Sequence, residues 1–137
     1  MKKEVIIDIN AFAGNEEDDN NRHYRRISLR EDGDNYTLSY SEGGELKGSE
    51  TTLQVENGGE TVKMTRRGEY TSQLFLENKK RHMCIYSTPY GQMQMAIYTN
   101  YIISDVTEKG GSLEMDYIID FGNQITENHM MIKIREA

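Results

Sequence analysis

Arg66 stands out among the side chains that could do chemistry. It shares the two-residue phase of Val62 and Met64, so a regular strand points all three toward the interior. A guanidinium cannot sit there unanswered, because burying an isolated charge costs several kcal/mol. Two arrangements answer it. In one, Arg66 lies near an end of the fold, bonds a carboxylate or backbone carbonyls, and closes one mouth. In the other, it meets the anionic head of a ligand whose tail lies inside.

The remaining candidates carry weaker signals. Nucleophilic catalysis needs a Ser or Cys beside a base that a third group orients. His23 starts a strand beside Tyr24 and two arginines, His82 follows a basic hairpin tip, and His129 lies on the face opposite Met130. No pair of them has metal-ligand spacing, and no G-x-S-x-G, P-loop or G-x-G-x-x-G motif occurs. All three read as surface histidines. Cys84 alternates with Tyr86 and reads as a small buried hydrophobe. The run from Asn15 to Arg22, NEEDDNNR, reads as a solvated loop; it lacks the glycine and distal glutamate of an EF-hand calcium loop. Nothing in the sequence calls for a metal or a cofactor. Basic residues gather at Arg22 to Arg26, at Arg66 and Arg67, and at Lys79 to His82. Only the first, with Tyr24 interleaved, has the look of a nucleic-acid patch.

Strands must position these groups. Apolar and polar residues alternate through Val5, Ile7, Ile9; Tyr36, Leu38, Tyr40; Leu53, Val55; Met93, Met95, Ile97; Leu113, Met115, Tyr117, Ile119; and Met130, Ile132, Ile134. Weaker runs at 22–31, 60–67, 71–78 and 82–88 bring the total to about ten. The connections between them carry Asp32-Gly33, Asn57-Gly58, Pro89-Tyr90-Gly91 and paired glycines, which suit tight reversals between antiparallel neighbours. Ten consecutive strands with one apolar face each leave exposed edges unless the sheet closes. The sequence therefore predicts an all-β, single-domain antiparallel up-and-down barrel of about 8–10 strands over residues 1–137. A two-sheet sandwich would use the same alternation.

Composition bounds the setting. The 137 residues carry a net charge of -7 and 36 % hydrophobic residues. Excess negative charge works against binding DNA or an anionic membrane surface, and no apolar stretch approaches the ~18 residues of a membrane span. A single cysteine and a charged start without a signal-peptide pattern point to the cytoplasm.

Met64-Thr65-Arg66-Arg67-Gly68 and Tyr86-Ser87-Thr88-Pro89-Tyr90-Gly91, followed by Met93-Gln94-Met95, Thr99 and the strand around Asp116-Tyr117, resemble the YwiB-like (DUF1934) family of small bacterial proteins. That resemblance implies a calycin-like β-barrel, similar in outline to lipocalins, from a family of uncharacterised activity. In the family pattern the arginine of the Arg-x-Gly step falls on Arg66 and the turn glycine on Gly91. The chain has no tryptophan, so it departs from the Gly-x-Trp of true lipocalins, and lipocalin ligands do not carry over.

The expectation that follows is a cytosolic, non-enzymatic barrel taking a small, partly apolar ligand in its lumen. Arg66 would stand near one mouth, with Tyr40, Met64, Met95 and Tyr117 along the wall. Methionine and tyrosine line such a space readily, and they fill it equally well without a ligand. The alternative is a barrel packed solid by side chains that binds a protein or RNA through its outer faces and basic tips. An enzyme would need His, Asp or Tyr converging in a cleft, and the sequence points to none.

Overall fold

Alternation gives each strand a dry face and a wet face, and ten strands in sequence bury all the dry faces by curling into a ring. The computed structural model describes residues 2–13, 16–33, 35–41, 48–69, 71–107 and 109–136. The strands are β1 (Lys2–Ala13), β2 (Glu16–Asp32), β3 (Asn35–Ser41), β4 (Glu50–Glu56), β5 (Thr61–Arg67), β6 (Thr71–Glu77), β7 (Arg81–Thr88), β8 (Gly91–Thr107), β9 (Gly110–Asp120) and β10 (Ile125–Glu136). Each pairs antiparallel with its sequence neighbours, and β10 returns to β1, so the sheet is a closed up-and-down barrel rather than a sandwich.

The turns follow the expected chemistry. Asn57 and Gly58 both adopt left-handed backbone angles between β4 and β5, with φ of 55° and 68°. Thr88 pairs with Gly91 across the Pro89-Tyr90 tip, where the Tyr90 N–H donates to Thr88 Oγ1 at 3.1 Å. One expectation is corrected. The acidic run after Asn15 is not a loop, because β2 begins at Glu16 and the β1–β2 ladder runs through Ala11↔Asn20 to Ala13↔Glu16. Backbone pairing is indifferent to side-chain polarity, so a hairpin can extend beyond its apolar residues. The side chains of Glu16 to Arg26, including the first basic cluster, lie outside the described residues.

Register stacks the inward residues of β3 to β6 into rows across the strands. The lowest runs Tyr36, Val55, Val62, Leu76, and the next Leu38, Leu53, Met64, Leu74. On the far side Leu113, Ile132 and Ile9 lie opposite one another on β9, β10 and β1. These residues and their neighbours form one continuous core, in which Leu53, Val62, Leu76, Leu113 and Ile132 are wholly inaccessible. Each such side chain contributes roughly 1.5–3 kcal/mol on leaving water.

β8 is long because a bulge between Thr99 and Tyr101 resets its phase, so burial passes from Met95, Ile97 and Thr99 to Ile102 and Val106. Gly110 and Gly111 turn the chain into β9 with φ of 114° and 137°. A Cβ on Gly111 would lie 1.7 Å from the Asp105 carbonyl oxygen, so only glycine fits there.

Candidate functional site

The third inward row differs in kind. Tyr40, Thr51, Arg66, Ser72, Tyr86 and Met93 lie opposite one another in turn across β3 to β8. Each belongs to the apolar phase of its own strand: Thr51 with Leu53 and Val55, Ser72 with Leu74 and Leu76, Tyr86 with Cys84. The strands therefore deliver four hydroxyls and one guanidinium to the inner wall at one end of the barrel. At that end lie the β3–β4, β5–β6, β7–β8 and β9–β10 connections.

Thr51, Ser72 and Tyr40 are buried, Arg66 and Tyr86 are half-buried, and Met93 at the rim is 48 % exposed. Arg66 Nε donates to Thr51 Oγ1 at 3.5 Å, a long contact, and Arg66 makes further interactions within the fold. Ser49, also buried, sits so close to Gly68 that a Cβ there would meet Ser49 Oγ at 2.3 Å. Across the barrel interior on β9, burial pushes the Tyr117 phenol up to about 12, against a smaller opposing pull from the Arg66 charge. At neutral pH Tyr117 keeps its proton.

No member of this row is a carboxylate, and the described residues with buried polar side chains, Ser49, Thr51, Thr61, Ser72 and Thr99, are all Ser or Thr. A guanidinium in a row with hydroxyls has the chemistry to bind an anion, with its fork supplying charge and paired N–H donors and the hydroxyls turning to donate or accept. Among the described residues of this row, none is a nucleophile beside a base.

The five residues singled out from sequence are thus divided. Arg66 and Tyr40 share the polar row. Met64 and Met95 are buried in the row beneath it, the latter opposite Cys84, and Tyr117 faces in from the other wall. Thr51, Ser72 and Tyr86 were missed, although a polar residue in an apolar phase is the same signal that marked Arg66.

Histidines elsewhere have specific partners. On the outer wall His129 Nε2 donates to Glu114 Oε2 at 2.6 Å, and Tyr101 OH donates to the same oxygen at 3.0 Å. Beside them Asn100 Nδ2 donates to Asp116 Oδ1 at 2.7 Å. The His129 bond leads in holding Glu114 below the usual carboxylate range, with burial opposing it. Near the opposite end, His82 Nε2 donates to Glu77 Oε1 at 2.8 Å. Cys84 is a buried free thiol, raised by burial. Among the described residues no cluster of His, Cys, Asp and Glu could hold a metal ion, and no helix is long and apolar enough to cross a membrane.

Recesses on the outer wall are shallow. One of about 240 Å³ lies between Arg81, Met83, Gln94, Asp120 and Phe121, beside the exposed Met83 and Ile85.

Fold and site together define a closed ten-stranded antiparallel barrel with an arginine-centred polar end. The domain of unknown function DUF1934 matches residues 10–132, and the chain belongs to that family. Among solved structures it is similar to the ywiB protein from Bacillus subtilis, with a TM-score of 0.83 at 17 % identity. That match covers 99 % of this chain and 93 % of that one, and at such identity the likeness is one of fold. No curated protein matches the chain.

Proposed function

We propose that the chain is a cytoplasmic, non-enzymatic binding barrel that takes a small, partly apolar anion at its Arg66 end. One observation carries this reading: the half-buried guanidinium stands in a row whose other polar members are neutral hydroxyls. The ligand's charge meets Arg66, Thr51 and Ser72. Its apolar part lies against Met93 and, deeper, Met64 and Met95. Tyr117, protonated at neutral pH, adds a donor from the far wall. A free buried Cys84 suits a reducing compartment.

Native mass spectrometry of protein purified from its host tests the reading. The expected result is a bound species of a few hundred daltons that is lost in a folded Arg66→Met variant. Retention of that species by Arg66→Met, or a barrel without any bound species, refutes it.

A second reading is favoured by the outer wall, where Met83 is 61 % and Ile85 49 % exposed on neighbouring outward positions of β7. Here the barrel acts as an interaction module for a protein or RNA, with Lys79 to Arg81 beside that face. Affinity purification discriminates: loss of a partner on Met83→Asp or Lys80→Glu with unchanged stability favours this reading.

A further inference from the structure

The β6–β7 seam is built unlike the seams beside it. β5 and β6 stay paired from Thr61↔Glu77 to Arg66↔Ser72, and β7 and β8 from Arg81↔Tyr98 to Thr88↔Gly91. Between β6 and β7 the ladder holds only Thr71↔Ser87, Ser72↔Tyr86 and Gln73↔Ile85. Beyond it Leu74 to Glu77 and Arg81 to Cys84 run on without pairing to each other, although a short tip joins them.

The tip explains the divergence, because only the Lys80 N–H to Glu77 carbonyl bond, at 3.0 Å, closes the turn itself and its other backbone bonds run to other parts of the fold. Asn78 N–H donates to the Glu60 carbonyl at 2.9 Å, Lys79 N–H to the Thr99 carbonyl at 2.9 Å, and Thr99 N–H to the Lys80 carbonyl at 3.2 Å. The β8 bulge supplies that docking point, and Lys79 Nζ reaches the Asn100 carbonyl beside it at 2.9 Å. The joint leaves Asn78 Oδ1 and Thr99 Oγ1 buried without a hydrogen-bond partner, an unfavourable state for either atom.

Side chains stitch the space that the missing ladder leaves. Phe75 N–H donates to Cys84 Sγ at 3.4 Å, a sulfur standing where a carbonyl would be; thioether and thiol sulfur are weak acceptors. The Phe75 and His82 rings meet edge to face, 4.4 Å apart. Glu77 ties His82 on one oxygen and Lys80 on the other, at 3.1 Å. Directly inside lies the apolar row of Met64, Leu74, Cys84 and Met95, adjacent to the Arg66 row.

We propose that this seam is the part of the wall that opens, a lateral entrance through which the apolar portion of an amphipathic ligand reaches the interior. Opening between residues 74–77 and 81–84 separates side chains and one N–H···S contact while the three-pair ladder and the docked tip hold its two ends, whereas opening any of the neighbouring seams would have to break a backbone ladder. What passes through it rests on the binding reading above; the opening itself does not.

Cys84, the only cysteine, reports the opening without any ligand. The rate of its modification by a maleimide in excess is measured under native conditions and compared with global unfolding followed by denaturant. Local opening of a weak segment exposes its groups faster than global unfolding does. The expected result is modification at least about tenfold faster than global unfolding allows, rising a further ~10-fold in Phe75→Ala. Ile132→Val, which loosens the β10 wall, leaves the rate unchanged. Should Phe75→Ala fail to fold, Glu77→Gln replaces it with an expected rise of roughly threefold. Modification only at the global unfolding rate, accelerated by Ile132→Val in proportion to its lost stability, overturns the proposal. A locally reactive Cys84 in a barrel that carries no ligand removes the Arg66 reading alone; a liganded barrel with unreactive Cys84 removes the seam alone.

Discussion

The β9–β10–β1 wall and the β4–β7 wall obey one alternation rule and reach different ends. On the first, β9 and β10 pair without interruption from Asp120↔Ile125 to Gly110↔Arg135, and the inward positions of Leu113, Ile132 and Ile9 are wholly apolar. On the second, the strands are shorter, the last inward row is polar, and one ladder stops after three residue pairs. Continuous pairing and apolar packing make the first wall; an inward arginine among hydroxyls and a seam closed by side chains set the second apart from it. Both departures sit next to each other.

The largest effects should come from breaking the continuous wall. Leu113→Ala leaves a cavity under a wholly buried position and is expected to cost about 2–5 kcal/mol. Gly111→Ala should match it, since its Cβ cannot coexist with the Asp105 carbonyl. Chemical denaturation measures both. Equal tolerance of these changes and of changes in the polar row would erase the contrast.

Tyr117, buried on β9 and within range of the Arg66 charge, tests the contrast in alkali. Its folded-state pKa is raised to about 12 from an ordinary value of 10.0. Below pH 10 the neutral phenol suits folded and unfolded chains alike. Between pH 10 and 12 the unfolded chain ionises first, so the folded state loses stability, by about 2–3 kcal/mol at the upper end. Tyr117→Phe should remove that part of the alkaline decline, as a pH series of denaturation curves would reveal. An unchanged series would mean that the phenol is not buried beside Arg66.

Arg66→Met should be mild by comparison. Truncating one member of a buried ion pair is costly because it strands the other charge. Arg66 already has partners within the fold, and because its guanidinium is only half-buried their loss should cost about 1 kcal/mol, less than the core truncations. A loss of several kcal/mol by thermal melt would place a carboxylate against the guanidinium and turn the candidate site into a structural clasp.

Much of this was legible from the residues. Val5, Ile7, Ile9 and Leu113, Met115, Tyr117 declared their dry faces through simple alternation, and the turns at Asn57-Gly58 and Thr88 to Gly91 declared the meander. Arg66 was visible as a charge in an apolar phase. Other features depend on which residues face each other across strands, and alternation within a strand carries no such information. The row linking Tyr40 to Met93, the Glu114–His129 bond and the short β6–β7 ladder are all of that kind. Asn100 hid the second half of β8, because a single bulged residue breaks the period of two. The acidic start of β2 carried no apolar signal, although its backbone pairs with β1.

The smallest effects separate the two walls most cleanly, through two glutamates that histidines hold below the usual carboxylate range. Glu114 lies on the continuous wall, under His129 and Tyr101; Glu77 lies on the seam, under His82 and Lys80. Depressed folded-state pKa values mean that each contributes stability above the ordinary 4.5 and loses it as pH falls below that point. At pH 7, Glu114→Gln should lower the melting temperature slightly, for a loss under about 1 kcal/mol, and leave Cys84 reactivity alone. Glu77→Gln should quicken Cys84 modification and barely move the melt, because the contact it weakens opens without the rest of the barrel. The Glu114→Gln difference should shrink as pH drops below about 4.5, where the native carboxylate also takes up its proton. If both variants instead shift melt and reactivity together, the seam and the wall unfold as one unit.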